Sequence, residues 1–348
     1  RKSFYGDTRR EVQEQLTTAL HDIQQGTPIV ADRQSVEQFF TDWLANMKLK
    51  IRYNTWQRYE QYVRLYLVPT LGKVALSKLT PQQIQSLYTA KLNEGYSTTT
   101  IAHLHTVIHH ALDSALRFGL VQRNVAEFVE PPKVRKVEMK TLSPEQARKL
   151  LEVARGERFE ALYVVALTTG MRLGELLALR WQDVDLQQGR LQVRVTLQRA
   201  PKGFALYHPK TQRSRRNVAL TQLAIDALRE YRKRQDEQRA LLGAAWRDLD
   251  LVFSNLEGGE MVKSNLLFSS FKPLLKRAGL PNIRFHDLRH TAATLMLWQG
   301  IHPKVVSEML GHASVAITLD LYSHVLPNMQ REAVERMNTL LSDPLSDA

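Results

Sequence analysis

Five short segments of this 348-residue sequence, the last two overlapping, hold residue types suited to one kind of chemistry. In "TTGMRLGELLAL", 168–179, Arg172 follows a glycine at a helix start, with Glu175 three positions on and on the same face. "HPKTQRSRRNVAL" places Lys210 in a turn between two strand-like runs. In "FHDLRHTAATLM", 285–296, His286 and Arg289 stand at i and i+3, so both can point at one target. "KVVSEMLGHAS" ends a helix at Gly311, a glycine at the C′ position, and delivers His312 directly after it. Tyr322 follows ten residues later in "LGHASVAITLDLYSHV". Cleaving a phosphodiester without a metal requires a nucleophile, compensation for charge on the phosphoryl oxygens, and a proton for the leaving 5′ oxygen. A tyrosine, with an ordinary pKa of about 10, can attack and keep the phosphate. Flat, permanently charged guanidinium forks match the non-bridging oxygens bidentately, which a lysine does poorly. Each piece has a plainer reading: a tyrosine that buries its ring, a surface Arg–Glu pair, a polar helix face.

The order and spacing of the set are more specific than its parts. Arg172, a turn lysine, His-x-x-Arg, Leu-Gly-His and a tyrosine ten residues on together resemble the tyrosine recombinase family, the phage-type integrases. The resemblance covers about residues 33–326, motif by motif in the second half and only as a helical bundle in the first. It implies that Tyr322 forms a 3′-phosphotyrosine link, and that Arg172, Arg289 and His312 stabilise the phosphoryl group. Lys210 then protonates the departing 5′ oxygen, His286 accepts or relays the tyrosine proton, and Glu175 supports the site from behind. It further implies double-stranded DNA recombination sites as substrate, two domains clamping the duplex, and a homo-tetramer on paired sites. DNA-bending accessory proteins are possible partners, and neither cofactor, metal nor ATP is expected. The opening "KSFYGDTRREVQEQL" looks like the tail of the arm-type DNA-binding domain that many integrases carry. As the chain does not open on Met, its start is expected to be a boundary within a longer protein.

Composition agrees with a polyanionic partner. The formal charge is +13, from 48 Lys+Arg against 35 Asp+Glu, and the absence of cysteine excludes disulfides and thiolate metal sites. No run of about 18 apolar residues could span a bilayer, and the N-terminus lacks the apolar core of a signal peptide. A cytoplasmic, nucleoid-associated protein of bacterial or phage origin is expected.

The elements that must position these residues are mainly helical, with a small antiparallel sheet: a helical-bundle core-binding domain and a mixed α/β catalytic domain. Thr8 and Glu11 read as a capping box opening a polar helix to about residue 25, within a segment 1–30 too small to fold alone. Residues 31–130 read as a four- or five-helix bundle. Within it Arg52, Arg58 and Arg64 alternate with Tyr53, Trp56, Tyr59, Tyr62 and Tyr66; the rings are expected in the core and the arginines on phosphates. The Pro- and Lys-rich stretch 131–142, with Lys133, Arg135 and Lys136, is expected to be an interdomain linker and a further DNA contact. Ser143, Pro144 and Gln146 then cap a new helix, opening a catalytic domain over 143–326. Here "LGELLALRW" reads as a helix, and "GRLQVRVTLQRA" and "RRNVAL" as strands. Residues 186–225 hold eight Lys/Arg and no acid, which makes Lys202, Arg213, Arg215 and Arg216 candidate DNA contacts. The tail 327–348 holds a short amphipathic helix with Val334, Met337 and Leu341 on one side, expected to dock on a neighbouring protomer.

Three rival readings share parts of this pattern. A DNA-binding regulator has no use for a complete cleavage set. A metal-dependent nuclease would need histidines such as His105 and His109, at i and i+4, but no carboxylate falls at matching spacing. A type IB topoisomerase shares the chemistry but acts as a monomer on almost any sequence.

Overall fold

The computed structural model describes residues 5–24, 34–134, 139–201, 203–207, 215–322 and, in the tail, 334, 335, 337–339 and 341, with side chains described except at 18–24, 321 and 322. Contacts divide the chain into two units, Arg1–Val137 and Glu138–Ala348, a division inside the Pro- and Lys-rich stretch.

In the first unit, α1 (Arg9–Gln24) opens where the Glu11 amide donates to Thr8 Oγ1 at 3.3 Å. The Glu11 carboxylate returns to the Asp7 amide (3.0 Å), one residue ahead of the expected partner. α2 (Val36–Lys48) starts on a reciprocal Ser35–Gln38 box. α3 (Tyr53–Tyr62) continues through a π-turn, Val63–Leu67, into α4 (Val68–Leu71), where Pro69 has no amide to donate to the helical ladder. α5 (Pro81–Asn93) repeats the box with Thr80 and Gln83, and α6 (Thr98–Arg117) is capped by Ser97. Their apolar stripes close over Phe40, Leu67, Ile84, Tyr88, Leu104 and Ile108, all fully buried. The aromatic row packs against this core: Tyr59 stacks on Trp43 at 5.7 Å, and Trp56 Nε1 donates to the Leu44 carbonyl at 2.9 Å. The histidines of α6 sit among rings, His105 Nδ1 3.0 Å from the Tyr88 hydroxyl and His110 edge-on to Trp43.

In the second unit, α7 (Pro144–Ala154) opens on a Ser143–Gln146 box, and the apolar α8 (Glu160–Thr169) runs through the core. α9 (Leu173–Leu176) is a single turn, shorter than "LGELLALRW" suggests. Leu177, Ala178 and Leu179 are each buried; the Ala178 and Leu179 amides tighten to the Glu175 and Leu176 carbonyls, and beyond them tertiary bonds take over, the Trp181 amide to the Asp250 carbonyl and the Val252 amide to the Leu179 carbonyl. Next come β1 (Val184–Asp185), β2 (Arg190–Val193), β3 (Thr196–Ala200), β4 (Gly203–Tyr207) and β5 (Arg216–Ala219). The run expected as one strand splits between two sheets: β2 lies between β1 and β5, while β3, among the described residues, pairs with β4 alone. α10 (Gln222–Leu242), α11 (Lys263–Leu266), α12 (Lys272–Arg277), α13 (Phe285–Trp298), α14 (Pro303–Leu310) and α15 (Val315–Tyr322) complete the unit. In the tail, Val334, Met337 and Leu341 are exposed. Among the described residues no helix is long and apolar enough to cross a membrane.

Candidate active site

Two helix C-termini meet at the site. α8 ends at Gly170 (φ +65°) and α14 at Gly311 (φ +70°), both left-handed, which an L side chain adopts only with strain. Space is closed as well: a Cβ at 170 would lie 2.4 Å from Leu310 Cδ2, and one at 311 would lie 2.9 Å from Arg216 Nη1. The carbonyls released at these ends are taken by arginines from three other elements. Arg216 Nε, at the start of β5, donates to the Met309 carbonyl at 2.5 Å. Arg289 Nη1, on α13, donates to the next carbonyl, Leu310, at 2.8 Å, and also to Gly170 at 2.9 Å. Arg172 Nη2, before α9, reaches the third, Gly311, at the long limit of 3.5 Å. Helix C-terminal carbonyls carry partial negative charge, so this junction tolerates clustered guanidiniums.

One carboxylate completes the frame. Glu175, 4% exposed, accepts from Arg172 Nη1 (2.8 Å), from the Arg172 amide (3.0 Å) and from Arg216 Nη2 (2.9 Å). Burial alone would raise its pKa, but the charge and hydrogen bond of Arg216, then those of Arg172, outweigh that and hold it below the usual carboxylate range. The plainer reading of Arg172–Glu175 as a surface pair thus gives way to a triad with Arg216 around a buried carboxylate. Two guanidiniums bond this one carboxylate and Arg289 adds a third charge at the same junction, which leaves an excess of positive charge where Arg172, 40% exposed at its side chain, opens to solvent.

The histidines respond to that excess. His312, half-buried directly after Gly311, is pushed down to about 4 by burial and by the charges of Arg289, Arg172, His290 and Arg216. His286 keeps a solvent-exposed edge and is likewise lowered to about 4, by burial of the rest of its ring, then by His290, Arg289 and Arg172. Its ring meets His290 edge-on at 5.0 Å. Both imidazoles are therefore neutral at pH 7. His312 Nδ1 lies 2.8 Å from the hydroxyl of Thr318, fully buried on α15. A ring that accepts from Thr318 at Nδ1 carries its proton on Nε2 and can donate from there.

The structure thus brings Arg172, Glu175, His286, Arg289 and His312 to one place. The backbone of Tyr322 closes α15, the helix that begins three residues after His312, and its side chain is outside those described. Lys210, Lys202, Arg213, Arg135 and Lys136 lie outside the described residues. Of the other expected DNA contacts, Arg58, Arg64, Lys133 and Arg215 are exposed, with Arg64 bonded to Glu60 at 2.6 Å, and Arg52 is half-buried. Arg216 is a correction. Its side chain is only 6% exposed and its bonds go to Glu175 and Met309, so it does not face a phosphate. The acid-free run 186–225 is also less positive than its sequence: Arg194 pairs with Asp183 at 3.2 Å and Arg190 with Asp185 at 3.8 Å, both acids lying just ahead of it. Sequence reasoning missed Thr318 altogether, although it is the one polar residue of the apolar run "VAITL".

Known proteins share this chain's family and fold. Residues 140–329 match the model of the phage integrase family, and residues 35–92 match its N-terminal SAM-like domain. A XerC-like tyrosine recombinase of Caldanaerobacter subterraneus subsp. tengcongensis is 31% identical, with 98% of this chain and 92% of that protein covered. The ICEBs1 integrase of Bacillus subtilis is 25% identical, with 96% and 91% covered. Among solved structures, the Tn1549 transposon integrase in complex with transposon right end DNA superposes with a TM-score of 0.74 at 21% identity, over 87% of this chain and 99% of that one. A lambda integrase dimer bound to a core site gives 0.59 at 19% identity, over 81% and 97%. The chain belongs to the phage integrase family and is a tyrosine recombinase of the kind that mobile elements encode.

Proposed function

We propose that this chain cuts and rejoins double-stranded DNA at the joined ends of a mobile element, using Tyr322 as nucleophile and Arg172, Lys210, His286, Arg289 and His312 as its partners. The observation that carries the reading is the convergence of Arg172, Arg289 and His312 on the α8 and α14 C-termini, an anion-receptive corner framed by buried carbonyls. Attack by the Tyr322 oxygen forms a bond to phosphorus and breaks the bond to the 5′ oxygen, leaving a 3′-phosphotyrosine. Neutral His286 takes the phenolic proton. Arg172 and Arg289, with the His312 Nε2–H, take up charge on the non-bridging oxygens, where losing one donor typically costs about 2.7–4 kcal/mol. Lys210 supplies the proton to the leaving oxygen. The aryl phosphodiester keeps the step reversible, so a 5′ hydroxyl from a second strand can reverse it without ATP.

In the same reading residues 31–130 are the core DNA-binding domain, 131–142 the linker and 143–326 the catalytic domain, while 1–30 is the end of an arm-binding domain. Residues 327–348 dock on a neighbouring copy within a tetramer, a role supported by the exposure of Val334, Met337 and Leu341. Action on DNA places the protein with the nucleoid of a bacterial host, and DNA-bending proteins assist synapsis. The test is a plasmid carrying two direct copies of the element's joined ends, incubated with protein in chelator without nucleotide. Two smaller circles are expected; an unchanged plasmid despite salt-sensitive binding contradicts the proposal.

A further inference from the structure

The successive carbonyls of Met309, Leu310 and Gly311 are held by Arg216, Arg289 and Arg172 in that order. Two of these arginines belong to the cleavage set, and the third, with a side chain only 6% exposed, is turned toward Glu175 and Met309. We infer that Arg216 is a positioning residue for cleavage, which sets the register between Arg172 and His312 by gripping Glu175 with one nitrogen and the α14 terminus with another.

Three features support this. First, Arg216 Nη2 bonds the same Glu175 oxygen that accepts the Arg172 amide, so moving Arg216 moves the carboxylate that orients Arg172. Second, its Nε bond fixes Met309 three residues before His312, and the next carbonyl is fixed by Arg289. Third, the fit is close: Gly311 leaves no room for a Cβ, whose nearest neighbours would be Arg216 Nη1 at 2.9 Å and its Cδ and Cζ at 3.2 Å. A buried ion pair is a poor device for stability alone, because well-packed apolar residues of similar volume often do as well. An apolar pair cannot, however, orient a carboxylate and a helix terminus at the same time. A forked guanidinium can.

The inference rests on the recombinase reading above, and the experiment separates the two. Wild type, Arg216→Met and Arg216→Lys are given a nicked suicide duplex spanning the element's joined ends, with either an ordinary phosphate or a neutral methylphosphonate at the scissile position. Covalent complex is timed on a denaturing gel, and binding and melting are measured beside it. Wild type must form the complex on phosphate, and its failure would count against the recombinase reading, whatever the variants do. Given that it does, Arg216→Met is expected to be at least about tenfold slower on phosphate, with DNA affinity within twofold. The deficit should shrink to less than about threefold on methylphosphonate, which removes a negative charge that a well-placed Arg172 is needed to neutralise. Arg216→Lys, which keeps the charge but cannot grip both partners, should show the same contrast and carries the test if the Met variant does not fold. A deficit equal on both substrates, or none, overturns the inference, since a residue that only stabilises the fold slows both alike.

Discussion

Replacing Glu175 by glutamine should destabilise the second unit by about 3 kcal/mol at pH 7, and the loss should fade in acid. The carboxylate is 4% exposed and carries three bonds, two from Arg172 and one from Arg216. Glutamine has one acceptor oxygen, so in either amide orientation its NH2 faces an arginine donor. The two arginines respond differently: Arg172, 40% exposed, can turn to water, but Arg216, 6% exposed, stays buried with its counter-charge gone. Breaking a buried pair costs about 3–5 kcal/mol, and the Met309 carbonyl still held by Arg216 argues for the lower end. The pH sign follows from the depressed carboxyl. Its contribution is fully present above the unfolded value of about 4.3 and is lost as pH falls through the lower folded value. Wild type therefore approaches the variant on acidification. Native-state hydrogen exchange on peptides spanning 165–180 and 215–220 reads this directly, as about 150-fold faster exchange in the variant at pH 7. A gap below about 1 kcal/mol at pH 7, or one that stays constant down to pH 3.5, would refute the buried-triad reasoning.

The lowered histidines predict an acid-tolerant cleavage step. An imidazole of ordinary pKa near 6.5 would be about nine-tenths protonated at pH 5.5, whereas groups near 4 remain neutral, so kcat/KM should fall less than about twofold between pH 7.5 and 5.5. A tenfold fall over that range, in protein shown to be folded, would place the essential base elsewhere. Thr318→Val removes the hydroxyl 2.8 Å from His312 Nδ1 at nearly constant volume. It should slow cleavage by about tenfold, the equivalent of one ordinary hydrogen bond, without changing DNA affinity; an unchanged rate would mean that His312 needs no such partner.

Much of the chemistry was legible because it lies in local sequence. Gly311 and His312 announce a helix end and what it delivers, and the Ser143–Gln146 and Thr80–Pro81 signals are short-range caps that the structure forms as read. What was not legible depends on partners far along the chain. Arg216 looks like one more cation of a basic run, and only the fold, by bringing it to Glu175 and Met309, makes it internal. Nothing in "LGELLALRW" says that its helix stops after one turn, because the competing tertiary bonds come from Asp250 and Val252. The break between β2 and β3 is likewise a matter of pairing, since their residue types are alike and only β5 and β4, as different partners, separate them. Thr318 was overlooked because a threonine in an apolar helix more often bonds its own backbone than a catalytic ring.

Attack of Tyr322 on the scissile phosphate within this arginine-lined corner is the step on which the proposed reaction depends. Its most direct measurement pairs the wild-type chain with Tyr322→Phe on a nicked suicide duplex from the element's ends, in excess chelator, followed by a denaturing gel and peptide mapping of any linked species. A covalent protein–DNA band is expected for wild type, mapped to the peptide containing Tyr322, and none for the phenylalanine variant, which should bind the duplex equally well. A band of equal strength from Tyr322→Phe, or a linkage mapped to another residue, would contradict attack by Tyr322.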